Sequence, residues 1–547
     1  MKINNLKRRD FIKTILAGLP VLSLDWDSFP RGQEENNKQE WDAVVIGAGL
    51  GGLSCAAAFA RQGFKPLVLE QHYVPGGYAT TFKRPGGFVF DVSLHSTTVG
   101  ERGGVHNLIP GFPEIKDIEF VPHHNLYRAI FPEHDIRVPQ KDVDRYIKTL
   151  MEYFPEEKEG IAGLFKDMKG LRDDIGRYSQ AGDQVSMANF PREFPYIMKV
   201  FNKTWGQLLD LHIKNTKLRG IISGLWGYYG LPPSKLACIY YAMPTIGYLE
   251  EGGYYPIGKS QKISDAFMEF IEERGGKILL RSQVEKILVK DHTAYGVMTD
   301  DGKEYLGKVV VSNANAIDTF HKMMDEKEFL EKYLAKMDTY STSLSSFQVF
   351  LGLKTDLIKK TGIEDTEIFY TKGYDMEEEY TASLNADVEK TGFGLTVYDN
   401  LYKGYSPEGK NTLNIIVLQG YDHWKPYKSD YFSGEKKAYN TEKERMAGIL
   451  IDQVEEILLP GLRDAIEVKE IGTPLTNVYF TRNYRGAIYG WDQTLDNSLP
   501  RRLPHKTPIK NLYLSGAWTT PGGGYGACIP SGLECFGEIM QEWQKKT

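Results

Sequence analysis

A chain of 547 residues is too long for one hydrophobic core; at roughly 100–200 residues per domain it divides into two or three and can enclose a cleft. Its 66 basic and 72 acidic residues leave a net charge of -6, without the basic excess that nucleic-acid binding requires. Hydrophobic residues make up 41%, and no apolar run after residue 24 approaches the roughly 18–20 residues of a membrane span, so an integral-membrane body is excluded as well.

The first 24 residues stand apart from the fold. Lys7-Arg8-Arg9-Asp10-Phe11-Ile12-Lys13 precedes an apolar stretch, Thr14 to Leu24, too short to cross a membrane. The pattern looks like a twin-arginine export signal, which carries proteins already folded and so suits one that captures a nucleotide cofactor before crossing. It implies the periplasmic side of a bacterial cell envelope; a basic tail before a short hydrophobic anchor is the other reading. No small-x-small cleavage site follows, so the segment is expected to stay attached at the membrane face. Arg31 to Glu40 is a polar linker.

The core begins at Trp41. Asp42-Ala43-Val44-Val45-Ile46 is a short apolar run of buried-strand type, and it ends in Gly47-Ala48-Gly49-Leu50-Gly51-Gly52 before a helix-forming stretch, Leu53 to Gln62. Gly47 permits a tight turn, Gly49 lets the backbone approach a pyrophosphate, and Gly52 allows close packing of helix on strand. A second strand, Pro66-Leu67-Val68-Leu69, ends at Glu70, the carboxylate expected to bond a ribose hydroxyl. Strand, glycine turn, helix, strand and acid in register predict an α/β, Rossmann-type dinucleotide site.

Directly after the ribose acid comes Pro75-Gly76-Gly77-Tyr78-Ala79-Thr80-Thr81. It resembles the second glycine motif of the flavin amine oxidase and phytoene desaturase superfamily, which implies FAD rather than NAD. That family usually has arginine where this chain has Tyr78, which removes a charged contact to the pyrophosphate and leaves the Gly76 and Gly77 amides. Phe90-Asp91-Val92-Ser93-Leu94-His95 continues the likeness, with Ser93 where the family usually has glycine.

Further along, Gly253 to Gly258, a helix from about Ser264 to Arg274, and Val284-Glu285-Lys286-Ile287 resemble the family's return into the FAD domain, where Val284 would touch adenine through its backbone. Near the C-terminus, the strand Asn511 to Trp518, with Gly516 and Ala517, enters the turn Pro521 to Ala527. A helix from about Ser531 to Gln544 follows, and its N-terminus would place partial positive charge at the flavin's N1 and C2 carbonyl edge. The nearest resemblance is to the carotenoid desaturase, carotenoid isomerase and retinol saturase group, which Val310-Val311-Ser312-Asn313-Ala314 and Ser406 to Lys410 also suggest. It implies FAD-domain segments at 41–100, 251–320 and 491–547, with a discontinuous α+β substrate domain from 101–250 and 321–490, after the signal and linker at 1–40.

The resemblance further implies hydride exchange between flavin N5 and a carbon of an apolar polyene, desaturating or saturating a carbon–carbon bond; the electron acceptor stays open. The aromatic clusters at Trp226 to Gly230, Tyr240-Tyr241 and Tyr254-Tyr255 fit a polyene pocket or ordinary core equally. By the same likeness, Pro195 to Tyr255 is expected to offer a face to a lipid surface. Cys55, Cys238, Cys528 and Cys535 form no C-x-x-C pair and have no zinc-like spacing with histidine, so neither disulfide scaffold nor metal site is expected. No catalytic residue is assigned; His95 reads first as a satisfied structural histidine, with proton donor as the alternative to test, and Tyr484 to Gly490 is a candidate wall beside the flavin. Three rivals share the motifs: a redox-neutral carotenoid isomerase, an amine oxidase, and a cofactor-free binding protein of the kind formed by GDP-dissociation inhibitors and Rab escort proteins.

Overall fold

The computed structural model describes Trp26, residues 29–31, 40–98, Phe112, Ile115, 118–181, 189–325, 327–498 and 501–545. The twin-arginine pattern and nearly all of the polar linker lie outside these residues.

The first of two large sheets has seven strands. They are β1 (Glu40–Ile46), β2 (Pro66–Leu69), β3 (Lys277–Leu279), β4 (Val284–Lys290), β5 (Thr293–Thr299), β6 (Glu304–Ser312) and β7 (Leu512–Leu514). The order β7-β6-β1-β2-β3 is parallel throughout, and β4 and β5 extend it antiparallel from β6. Because side chains alternate across a strand, a sheet covered on both faces needs unbroken apolar runs. The Val44-Val45-Ile46 run meets that need: Val44 and Ile46 join Leu67, Leu69 and Val310 on one side, while Val45 joins Leu53, Phe59 and Val311 on the other.

That second side is covered by α1 (Leu50–Arg61) and α5 (Tyr525–Gln544). The two touch backbone to backbone: a Cβ on Gly532 would stand 2.0 Å from the Ser54 hydroxyl and 2.3 Å from the Gly51 carbonyl. Three helices start earlier than the sequence suggests, α1 at Leu50 rather than Leu53 among them. The helix expected from about Ser531 is α5, which starts at Tyr525 and runs through Pro530, because Ile529, Leu533 and Phe536 are buried and hold the turn despite the missing donor. The helix expected from Ser264 is α4 (Lys259–Glu273), which begins right after Gly258 in a left-handed conformation.

The second sheet also has seven strands, in the order Ile466–Gly472, Ser345–Leu353, Asn411–Gln419, Phe393–Thr396, Glu367–Tyr370, Asn125–Ile130, Asp135–Pro139. Its long strand is buried on both faces with a two-residue period. Phe347, Val349, Leu351 and Leu353 pack with Met446, Leu450 and Val454 of the helix Lys437–Ile457, whereas Ser346, Gln348 and Phe350 line a cavity on the other side.

Facing that side is a helical layer built around α2 (Lys158–Ala181) and α3 (Cys238–Glu251). Ile197, Trp205, Leu208, Leu225 and Trp226 are consumed by the core of this layer, and among the large apolar side chains of residues 195–255 only Met198 and Leu211 are exposed. Among the described residues no helix is long and apolar enough to cross a membrane.

Candidate functional site

The glycine turn sits where the parallel strands β1, β2 and β6 end. Gly47 has φ +90, a conformation glycine adopts without strain, and its amide donates to the Leu69 carbonyl at 2.8 Å. A Cβ on Gly52 would stand 2.2 Å from the Gly47 carbonyl, so only glycine lets α1 leave the strand at this angle. Gly49 and Gly76 pair as an isolated bridge, the Gly76 amide donating to the Ala48 carbonyl at 2.7 Å. The first and second glycine motifs, 27 residues apart by number, are thus one cradle.

Two details differ from the sequence reading. The Ala48 amide does not point at a ligand; it donates to Glu70 Oε2 at 2.7 Å, while Glu70 Oε1 accepts from the His72 amide at 2.8 Å. A carboxylate offers about four lone-pair sites, so Glu70 is fixed by two amides and keeps capacity for a ribose hydroxyl. Tyr78 is turned so that its hydroxyl lies beside Thr481 and Asn483, and burial pushes it up to about 12, so it stays neutral. Its backbone carbonyl accepts from Ser93 Oγ and from the Tyr525 hydroxyl, at 2.9 and 3.1 Å. Ser93, where a glycine is usual, ties the cradle to the start of α5.

Val284 opens β4 beside this cradle, where the Ser282 amide donates to the Glu70 carbonyl at 2.8 Å. Gly516 has φ +85 and reaches the cradle from the C-terminal strand. Between them stands Asn313, which sequence reasoning quoted without a role. Its Nδ2 donates to the Gly47 carbonyl at 3.3 Å, and a Cβ on Gly49 would come within 2.8 Å of that nitrogen, one on Gly516 within 2.3 Å of its Oδ1. Its only legible signal was its place at the carboxyl end of a strand.

One cavity of about 1420 Å³ runs from Gly47, Gly49, Glu70 and Val284, past Ala517 and Gly524, into the space between the second sheet and the helical layer. Ala517, Ile488 and Tyr489 line it, and so do Gly76, Gly77 and Tyr78. In α3 the lining residues Ile239, Tyr240, Met243, Pro244, Gly247 and Tyr248 recur every three or four positions, the spacing of one helix face. The opposite face, with Tyr241, Ile246 and Leu249, is core. The aromatic clusters therefore divide: Tyr228, Tyr229 and Tyr240 line the cavity, while Trp226, Tyr241 and Tyr255 belong to the core, Tyr241 stacking on Trp205 at 4.4 Å.

His95 also lines the cavity, and its Nδ1 lies 2.8 Å from Glu367 Oε2. Glu367 comes from the second sheet, is 1% exposed, and has Oε1 without a partner. Burial opposes a charge on the imidazole, but the Glu367 carboxylate outweighs it and holds His95 above the ordinary histidine value. His123, buried nearby, is pushed down to about 3 by burial and by His95, so it is neutral. Tyr228 meets the His95 ring edge-on at 5.2 Å. Nothing in the sequence connects positions 95 and 367.

A family model described as flavin containing amine oxidoreductase matches residues 50–539. The chain belongs to this family. It is similar to prolycopene isomerase 1 of an Oncidium hybrid cultivar, 27% identical over 92% of this chain and 84% of that protein. All-trans-retinol 13,14-reductase of Danio rerio is 28% identical over 92% of this chain and 86% of that protein. A solved oxidoreductase from Methanosarcina mazei shares the fold, with TM-score 0.59 at 18% identity, covering 91% of this chain and 99% of that one.

As a member of this family, the protein is an FAD-dependent oxidoreductase. The residues present fit FAD: glycines of both motifs packed so closely that their backbone lines the cavity, an oriented acid at the strand end, and a cavity long enough to continue beyond them.

Proposed function

We propose that this FAD-dependent oxidoreductase acts on a carbon–carbon bond of an apolar polyene, such as a carotenoid or retinoid. The observation that carries this is the cavity itself. Beyond the cofactor cradle it continues between a helix face of Ile239, Tyr240, Met243 and Tyr248 and a sheet face of Gln348, Phe350 and Ile416, flat and apolar surfaces suited to a conjugated chain. The names of two relatives matched over most of their length, a prolycopene isomerase and a retinol reductase, support the same substrate class.

When bound, FAD supplies hydride exchange at the ring. Gly47, Gly49, Gly76, Gly77 and Glu70 would hold its phosphates and ribose, with Ala48, Gly52 and Tyr78 shaping the cradle. Val284 would meet the adenine, and Gly516 and Ala517 would lie on the side of the ring. His95 holds the proton that a saturation must deliver to carbon: Nδ1 is engaged by Glu367, so exchange with a substrate goes through Nε2. Tyr228 and Tyr248 seal this corner; the Tyr248 hydroxyl donates to Ser96 Oγ at 2.7 Å.

A redox-neutral isomerisation uses the same cavity, and the prolycopene isomerase likeness favours it as the second reading. Product mass separates the two: a change of two hydrogens supports desaturation or saturation, and an unchanged mass supports isomerisation. Denaturing the protein from its native type of host and identifying the released flavin and any co-purified lipid tests the substrate class. Recovery of FAD without any polyene, together with peroxide release on amines, would overturn it in favour of an amine oxidase.

For the place of action we propose the periplasmic side of a bacterial cell envelope, supported by Arg8-Arg9 and the apolar stretch behind them. Replacing both with lysine should leave the protein in the cytoplasmic fraction; unchanged fractionation would count against export by this route.

A further inference from the structure

Behind the C-terminal glycine turn lies a buried guanidinium that, among the described residues, forms no ion pair; Asp492 acts on it only at longer range. Arg502 is 1% exposed, and every acceptor it has is neutral. Nε donates to the Thr519 carbonyl at 2.7 Å and Nη2 to the Ala517 carbonyl at 2.8 Å. Nη1 donates to Gln493 Oε1 at 2.8 Å, and longer bonds at 3.4 Å reach the carbonyls of Asn497 and Trp491. Among the described residues no carboxylate forms an ion pair with it; the nearby Asp492 is itself buried and turns to Ser341. An arginine stays charged in proteins, and a buried charge without a partner is costly unless something anionic arrives.

The same turn faces the cavity. Ala517, Trp518, Pro521 and Gly524 line it, as does Gln493. The carbonyls of Ala517 and Thr519 point at the guanidinium, and in a trans peptide the amide points the opposite way, so the Trp518 and Thr520 amides face away from Arg502. The cation thus stands behind two aligned peptides, 517–518 and 519–520, on the side of the turn away from the cavity, while the peptide between them bonds Trp491 and Gly516.

We propose that Arg502 is a positioning residue whose missing counter-ion is the reduced flavin: its charge, relayed through the 517–519 peptides, stabilises negative charge on the ring and raises its reduction potential. This rests on the reading that the 516–527 turn faces the flavin. It adds a second source of positive charge to the N-terminus of α5, one that comes from a segment the family's glycine motifs do not include.

The test compares holoprotein variants by equilibration with a reference redox dye, with FAD content measured in each. R502M removes the charge at similar volume, R502K keeps it, and Q493E leaves the arginine in place but sets a near-isosteric carboxylate against its Nη1. With FAD still bound, R502M and Q493E should lower the reduced-to-oxidised ratio at fixed dye potential at least tenfold, about 30 mV for a two-electron couple. R502K should stay within threefold of wild type. If R502M does not fold, Q493E decides alone. Wild-type potentials in FAD-loaded R502M or Q493E would overturn the proposal, as would a loss in R502K equal to that in R502M. If Ala517 and Gly524 are replaced and FAD content and spectrum stay as in wild type, it is the placement of the flavin that fails instead.

Discussion

Gly51 and Gly516, separated by almost the whole chain, lie so close that a Cβ on Gly51 would stand 2.6 Å from the Gly516 Cα and 2.7 Å from its nitrogen. The contact locks the last strand of the first sheet onto the turn made by the first, and nothing in it is flexible enough to yield. G51A should therefore destabilise the fold by about 1–3 kcal/mol and weaken FAD binding at least tenfold, read by thermal melting and by fluorescence titration of the apoprotein. N313A, which removes the side chain filling the same corner, should weaken FAD binding in the same direction while melting closer to wild type.

Glu70 anchors two backbone amides before it meets any ligand. E70A leaves the Ala48 and His72 amides without acceptors, at a cost of about 1–3 kcal/mol each where they stay buried. E70Q keeps one acceptor oxygen and should lie between E70A and wild type in both melting temperature and FAD affinity. Equal FAD affinity in E70A and wild type would remove Glu70 from the cofactor site.

His95 and Glu367 give the reaction a direction in pH. Glu367 raises the His95 value, so a step needing the protonated imidazole is fully active at low pH and is lost as pH rises through a value above the usual 6.5. E367Q removes the carboxylate and should move that fall to lower pH, with kcat/KM at neutral pH reduced about tenfold or more. H95Q should abolish the limb altogether. A pH profile of kcat/KM unchanged in E367Q would show that the pair is only structural.

Asp91 makes stability depend on pH in the opposite sense to an ordinary salt-bridged acid. Fully buried, it accepts from Ser260 and Tyr405, and burial raises it from 3.8 to about 7. Its folded value lies above its unfolded one, so its contribution is fully present below about pH 4 and is lost as pH rises to about 7, at up to about 1.4 kcal/mol per pH unit. D91N should flatten the denaturation midpoint across that window; an unchanged slope would mean that Asp91 is ionised in the folded protein.

Much of the cofactor site was legible because it depends on local backbone. Gly47 and Gly49 follow an apolar strand and precede a helix whose first turn holds Gly52, and the conformations they require are set within a few residues. The role of Ala48 was not legible: its amide is taken by a side chain 22 residues on, a pairing that exists only once β1 and β2 lie parallel. Helix starts at Lys259 and Tyr525 were missed for a related reason, since burial of Ile263, Phe267, Ile529 and Leu533 in the shared core fixes first turns that carry little local signal.

The sequence by itself determined the dinucleotide turn, the acid that follows it and the apolar strands that bury them, because each is a matter of short-range conformation and residue type. Only the tertiary structure decided which aromatic residues line the cavity and which fill the core, that Glu367 stands behind His95, and that Arg502 is buried with only neutral acceptors among the described residues. Those are contacts between segments as far as 272 residues apart, and their energies come from burial and charge in an enclosed space that no single segment contains.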